Sequence, residues 1–265
     1  MKTAQKEIKI SVSKIRQSVD TDYREALAFT MLIYKLNPNT IFTITRGKLC
    51  EQLHMSSRTV NRLLDVAQDF SLIQYDQDTN RLQRFKLSSN RHNFNLDPDK
   101  LTSFTACEHW IIKCILMEKF VFTKYVYNLY KFRFNPYLKG KRIEVYELHK
   151  KAKKALKYGE YSNYNYFGHS YEWMAKKVGV SKSTIRSIIR EMIAEGLVVA
   201  KPNYKKIKSL KRESFTKVGL EYFNREFGNK GFFRIIKGAV FLQFANYYDV
   251  VDTSILPKKK NFFDI

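Results

Sequence analysis

LCEQLHMSSRTVNRLLDVAQDFSLIQY, residues 49–75, and MAKKVGVSKSTIRSIIREMIAEGLVVA, residues 174–200, are two copies of one pattern. A constant offset of 125 positions, without a gap, aligns Leu49/Met174, Cys50/Ala175, Leu53/Val178, Met55/Val180, Ser56/Ser181 and Thr59/Thr184. It continues through Val60/Ile185, Leu63/Ile188, Leu64/Ile189, Ala67/Met192, Leu72/Leu197 and Ile73/Val198, while Phe42/Phe167 and Thr45/Ser170 extend the match upstream. Each copy reads as a short helix, a tight turn, a Ser-capped second helix and a strand. In the first, Thr45 caps Arg46–Leu53, and Ser56 caps Ser57–Phe70, whose Val60, Leu63, Leu64 and Ala67 recur at helical spacing. In the second, Ser170 caps a helix ending at Val178, Gly179 makes the turn and Ser181 caps the next helix. Gly196 closes that helix as a left-handed cap, and Leu197–Ala200 is a strand.

Upstream of the first copy, Asp22–Leu36 places Ala26, Phe29, Ile33 and Leu36 on one helical face, and Pro38 and Asn39 end it. Ile41–Ile44 is a short β-branched strand, and Leu72–Tyr75 with Leu82–Leu87 flank a hairpin turn over Asp76–Arg81. A helix, a turn, a second helix and a hairpin form a winged helix-turn-helix, an architecture that reads double-stranded DNA. The expected fold class is mainly α with small β wings (α+β), as two winged-helix domains joined by a helical segment. The expected divisions are an N-terminal arm at 1–20, with Ile8, Ile10 and Val12 alternating as a strand or arm, and the first module at 21–90. A connector follows at 91–140, then a second module with a basic wing at 141–228 and a C-terminal extension at 229–265. Within these, Ser88–Pro98 reads as a polar linker, and Thr105–Phe134 as an aromatic-rich helix with a break near Phe120. Glu144–Leu156 reads as the first helix of module two, Lys201–Arg212 as its wing tip and Phe215–Phe227 as its close.

Composition points the same way. The 265 residues carry a net charge of +23, and residues 141–212 alone hold 18 Lys+Arg against 6 Asp+Glu. Such an excess implies an acidic partner, nucleic acid ahead of a membrane surface. Cys50, Cys107 and Cys114 make no disulfide framework, the start MKTAQKEIKI lacks an apolar signal core, and Trp110–Phe122 is cut by Lys113, Glu118 and Lys119. The expectation is a cytoplasmic, nucleoid-associated protein of a prokaryotic host with no membrane partner.

With 60, 63, 64 and 67 facing a core, about 100° per residue turns Arg58, Asn61, Arg62 and Asp65 outward. Arg and Asn make bidentate bonds to guanine and adenine edges, and Asp65 either accepts from a cytosine amine or pairs with Arg62. In the second copy the same positions hold Ser183, Arg186, Ser187 and Arg190. The base-reading candidates are therefore Arg58, Asn61, Arg62, Ser183, Arg186, Ser187 and Arg190. The helix starts at Ser57 and Lys182 suit phosphate, as do Lys150, Lys153 and Lys154 and the wing residues Lys201, Lys205, Lys206, Lys208, Lys211 and Arg212. Shared cores with unlike outer faces imply two unlike half-sites.

The turn-and-cap patterns HMSSRTVNRLL and VGVSKSTIRSII resemble those of tandem winged-helix proteins of mobile elements, the plasmid replication initiators and two-module phage regulators. The likeness covers roughly 42–87 and 167–227. It implies duplex DNA binding without catalysis, as a transcriptional regulator of a phage or mobile element. Two alternatives stand beside it: a replication initiator binding origin repeats, and a non-catalytic interaction or packaging protein using the modules as charged scaffolds. Implied partners are double-stranded DNA, host replication or transcription proteins, and a second copy of the chain through 105–134. The aromatics Phe122, Tyr125, Tyr127 and Tyr130 between lysines offer a single-strand stacking surface as the alternative to a scaffold helix.

No phosphate loop is present, since Gly228–Gly231 does not match, and His54, His92, His109, His149 and His169 form no nuclease pair. Cys107, His109 and Cys114 imitate zinc ligands, but on a helix the cysteines share one face and the histidine takes another, with no fourth ligand. The expectation is a non-enzyme without cofactor or metal.

Overall fold

The computed structural model describes residues 7–37, 39–89, 92–133, 168–206, 232–236 and 239–251, of which 125–133, 204–206, 232–236 and 239–244 are described by their backbone alone. The expected helix at Glu144–Leu156 with Lys150, Lys153 and Lys154, the wing residues Lys208, Lys211 and Arg212, and the closing element Phe215–Phe227 lie outside the described residues. So do the side chains of Tyr125, Tyr127 and Tyr130. The protein is α+β, with small antiparallel sheets.

The N-terminal stretch is a strand, β1 (Ile8–Ser11), followed by α1 (Val12–Gln17). Its partner is β5 (Asn93–Leu96), paired antiparallel from Ile8↔Leu96 to Ser11↔Asn93. The Asn-rich segment expected to be a linker thus holds a strand: Phe94 and Leu96 alternate inward with Ile8 and Ile10, and all four are buried. Between them run α2 (Thr21–Leu36), β2 (Ile41–Thr43), α3 (Arg46–Leu53), α4 (Ser57–Asp69), β3 (Ile73–Asp76) and β4 (Arg81–Arg84). The caps form as the sequence implies: Thr45 Oγ1 accepts from Lys48 N at 3.3 Å and Ser56 Oγ from Thr59 N at 3.2 Å. The α4 stripe of Val60, Leu63, Leu64 and Ala67 is fully buried, with Ala26, Phe29, Ile33, Leu49, Leu72, Ile73 and Leu82. Each large apolar side chain so buried contributes roughly 1.5–3 kcal/mol. A three-stranded sheet of order β2-β4-β3 closes this first copy.

After a 3₁₀ turn at Pro98–Lys100, α5 runs from Phe104 to Arg133 without the expected break. No Pro or Gly falls inside it, and Phe120 is buried rather than at a bend. The second copy follows as α6 (Tyr171–Val178), α7 (Lys182–Ala194) and β6 (Val198–Lys206). Both ends of α3 and α4 recur in α6 and α7 at the same 125-residue offset. The left-handed turns recur too: His54 (φ 53) and Ser71 (φ 52) in the first copy are Gly179 (φ 66) and Gly196 (φ 70) in the second.

The strand pairing β6 lies outside the expected wing. It is β8 (Ala239–Val250), from the stretch read as an extension of no legible role, with β7 (Phe232–Ile236) beyond it. Lys201–Lys206, read as a wing tip, belong to β6 itself. Three hydrogen-bond registers identify the end of β8 with β4. Ile73 pairs Arg84 as Val198 pairs Val250. The bond Ile44 N to Asn80 O becomes His169 N to Asn246 O, and Phe85 N to Leu72 O becomes Val251 N to Leu197 O. The second hairpin is therefore the first one with a long insertion at its tip.

The described chain falls into two compact units that cut across the repeat. One takes in 7–118 and 174–195, so it holds the first copy together with most of α6 and all of α7; the other lies within 119–173 and 196–251. In the second unit Phe120 stacks on Tyr248 with centroids 4.8 Å apart, and His169 lies between Phe120 and Trp173. Gly168 passes so close to β8 that a Cβ there would run into the Ala245 carbonyl.

Candidate nucleic-acid interface

The outer faces of α4 and α7 carry the sequence-derived candidates, and the structure treats them unequally. Arg58 is exposed on α4 beside exposed Ser57 and Asp65. Arg62 is exposed but committed: its Nη1 donates to Glu25 Oε2 of α2 at 2.5 Å. The expected alternative pairing of Arg62 with Asp65 is thereby replaced by a partner 37 residues upstream. Asn61 departs from the outward placement. It is half-buried, with its Oδ1 shielded and lacking a hydrogen-bond partner. The cause is angular: Asn61 lies about 110° from the centre of the apolar stripe, on its flank, whereas Arg58 lies about 170° away.

On α7, Lys182, Ser183, Arg186, Ser187 and Arg190 are all exposed. Ser181 Oγ caps the helix through Thr184 N at 3.1 Å and also meets Ser183 Oγ at 2.7 Å, so that candidate is partly engaged by its own cap. Ser187 Oγ donates to Glu191 Oε1 at 3.3 Å. Glu191 in turn receives Lys113 Nζ at 3.2 Å and faces His109 Nδ1 at 3.4 Å, while Lys113 also holds Glu195 at 2.7 Å. Burial works to raise the Glu191 carboxyl, but the Lys113 bond and charge, with His109 beside them, outweigh it and hold it below the usual range.

Of the wing candidates, Lys201 is exposed and bound to Asp249, which Lys124 also approaches at 3.0 Å. Opposed by burial, the two ammonium groups still pull the Asp249 carboxyl down. Lys205 and Lys206 lie on β6. Arg24, Glu25, Lys113 and Glu191 carry no local sequence signal: each acts on a residue far along the chain.

Cys107 and Cys114 are core residues, their thiols pushed up by burial, Cys107 to about 12. Among the described residues no group of three or more His, Cys, Asp or Glu is placed to hold a metal ion. No described helix is long and apolar enough to cross a membrane. Comparison with protein-family models, curated proteins and solved structures finds no match for this chain.

Proposed function

We propose that this chain is a sequence-specific double-stranded DNA-binding protein, non-catalytic, acting as a transcriptional regulator of a phage or mobile element. The observation that carries the reading is the duplicated helix pair, with equal helix bounds and left-handed turns, each copy exposing Arg and small polar groups on its second helix. A winged-helix reading of both copies is supported by the hairpin that follows each pair and by the matched registers of β3–β4 and β6–β8. Arg58 on one side and Arg186 and Arg190 on the other are the base-reading groups; Ser57 and Lys182 serve phosphate. The charge of +23 supplies the non-specific attraction.

The test is selection by the full chain from a pool of random duplexes, followed by titration of the enriched duplex at two salt concentrations. Enrichment of a defined sequence is expected, with affinity falling by roughly 10³–10⁵ between about 50 and 200 mM salt if about 6–10 phosphates are neutralised. An unenriched pool, or a flat salt response, would sink the reading.

A further inference from the structure

Two modules on a flexible linker would read two half-sites at any spacing the linker permits. The compact units argue otherwise, since residues 174–195 pack in one unit with the whole first copy. One turn of α2 touches both helix pairs. Arg24 is 2% exposed; its Nη1 donates to the carbonyl of Val178 at 2.7 Å and to that of Ser18 at 3.3 Å, and its Nη2 reaches Thr21 Oγ1 at 3.4 Å. Glu108 of α5 is the nearest carboxylate, at 3.7 Å. Val178 is the last residue of α6, where carbonyls lack helical partners and the dipole is negative, so a buried guanidinium belongs there.

Gly179, the next residue, lies against Thr21, whose Oγ1 would sit 3.2 Å from a Cβ. Adjacent Glu25 holds Arg62 of α4. From another side, Lys113 of α5, itself buried, holds Glu191 and Glu195 of α7. A buried guanidinium has given up its hydration, and the Val178 carbonyl restores part of that only while the turn stays seated.

We infer that the two helix pairs meet DNA as one body at a single fixed half-site spacing, and that Arg24 is the positioning residue that sets it. This inference rests on the DNA-binding reading proposed above. Duplex geometry makes it measurable: one turn is about 10–10.5 base pairs, so about five inserted pairs carry one half-site to the opposite side of the helix.

The full chain is first used to select from random duplexes, and the enriched site is then remade with one to ten base pairs inserted between its halves. The wild-type chain should enrich two unlike halves at one spacing. Every insertion should lower affinity by tenfold or more, and about 10²-fold where only one half is engaged. Ten added pairs should not restore binding, because a rigid body spans one distance. Arg24→Met should keep affinity for each isolated half within about threefold, yet lose about tenfold or more on the intact site and accept several spacings.

A merely structural loss would weaken half-sites and intact site alike, which overturns the positioning role. Wild-type selection of halves at variable spacing, or of a single half-site, overturns the fixed body and needs no variant. An unenriched pool overturns the DNA-binding reading, and the inference falls with it.

Discussion

Replacing Ile188 by Ala tests whether the second helix pair shares the stability of the first. Ile188 is fully buried on α7, within the compact unit that also contains α2 and α4. Truncating a buried Ile to Ala costs about 2–5 kcal/mol, the spread reflecting how far the site can collapse. At a urea slope of roughly 2 kcal/mol/M, the unfolding midpoint falls by about 1–2.5 M. The chain has 2 tryptophans, and in a Trp173→Phe background the emission comes from Trp110, which lies in the first unit with its ring 6.4 Å from Phe94. The Trp110 transition should shift by this amount in Ile188→Ala, and by a comparable amount in Leu63→Ala, with the slope unchanged in both. An unmoved Trp110 transition in Ile188→Ala, alongside a shift in Leu63→Ala, would refute the shared unit and make the second pair an independent domain.

His169 titrates at about 4, lowered from 6.5 by burial first and then by Lys119. Because the unfolded chain takes up that proton more readily, the contribution is present above about pH 6.5 and is lost as pH falls toward 4. It amounts to roughly 3 kcal/mol, and His169→Gln should flatten urea-unfolding stability over that window. Gly179→Ala should lower stability by about 1 kcal/mol or more, since φ is +66 there and Thr21 crowds a Cβ. His54→Gly, at the equivalent left-handed position, should gain up to about 1 kcal/mol in the same melts. On the selected duplex, Arg58→Ala and Arg190→Ala should each cost about 1–3 kcal/mol and relax one base position. Equal weakening on all sequences would make them phosphate anchors instead.

Reading the chain alone was enough to mark the helix pairs, their Thr45, Ser56, Ser170 and Ser181 caps and their buried stripes, because those signals lie within three or four residues. Even the turns at Gly179 and Gly196 were legible, whereas His54 and Ser71 hide the same left-handed geometry behind side chains that do not announce it. Tertiary structure decided what depends on distant partners. Asn93–Leu96 becomes a strand only because β1 offers it an edge, and exposed Arg62 is held in an ion pair only because Glu25 stands beside it. The second hairpin closes with Ala239–Val250, across an insertion no local pattern could bridge. The division into units likewise follows packing, not repetition: a repeat is a property of adjacent residues, but Arg24 seats the turn at Val178 from 154 positions away.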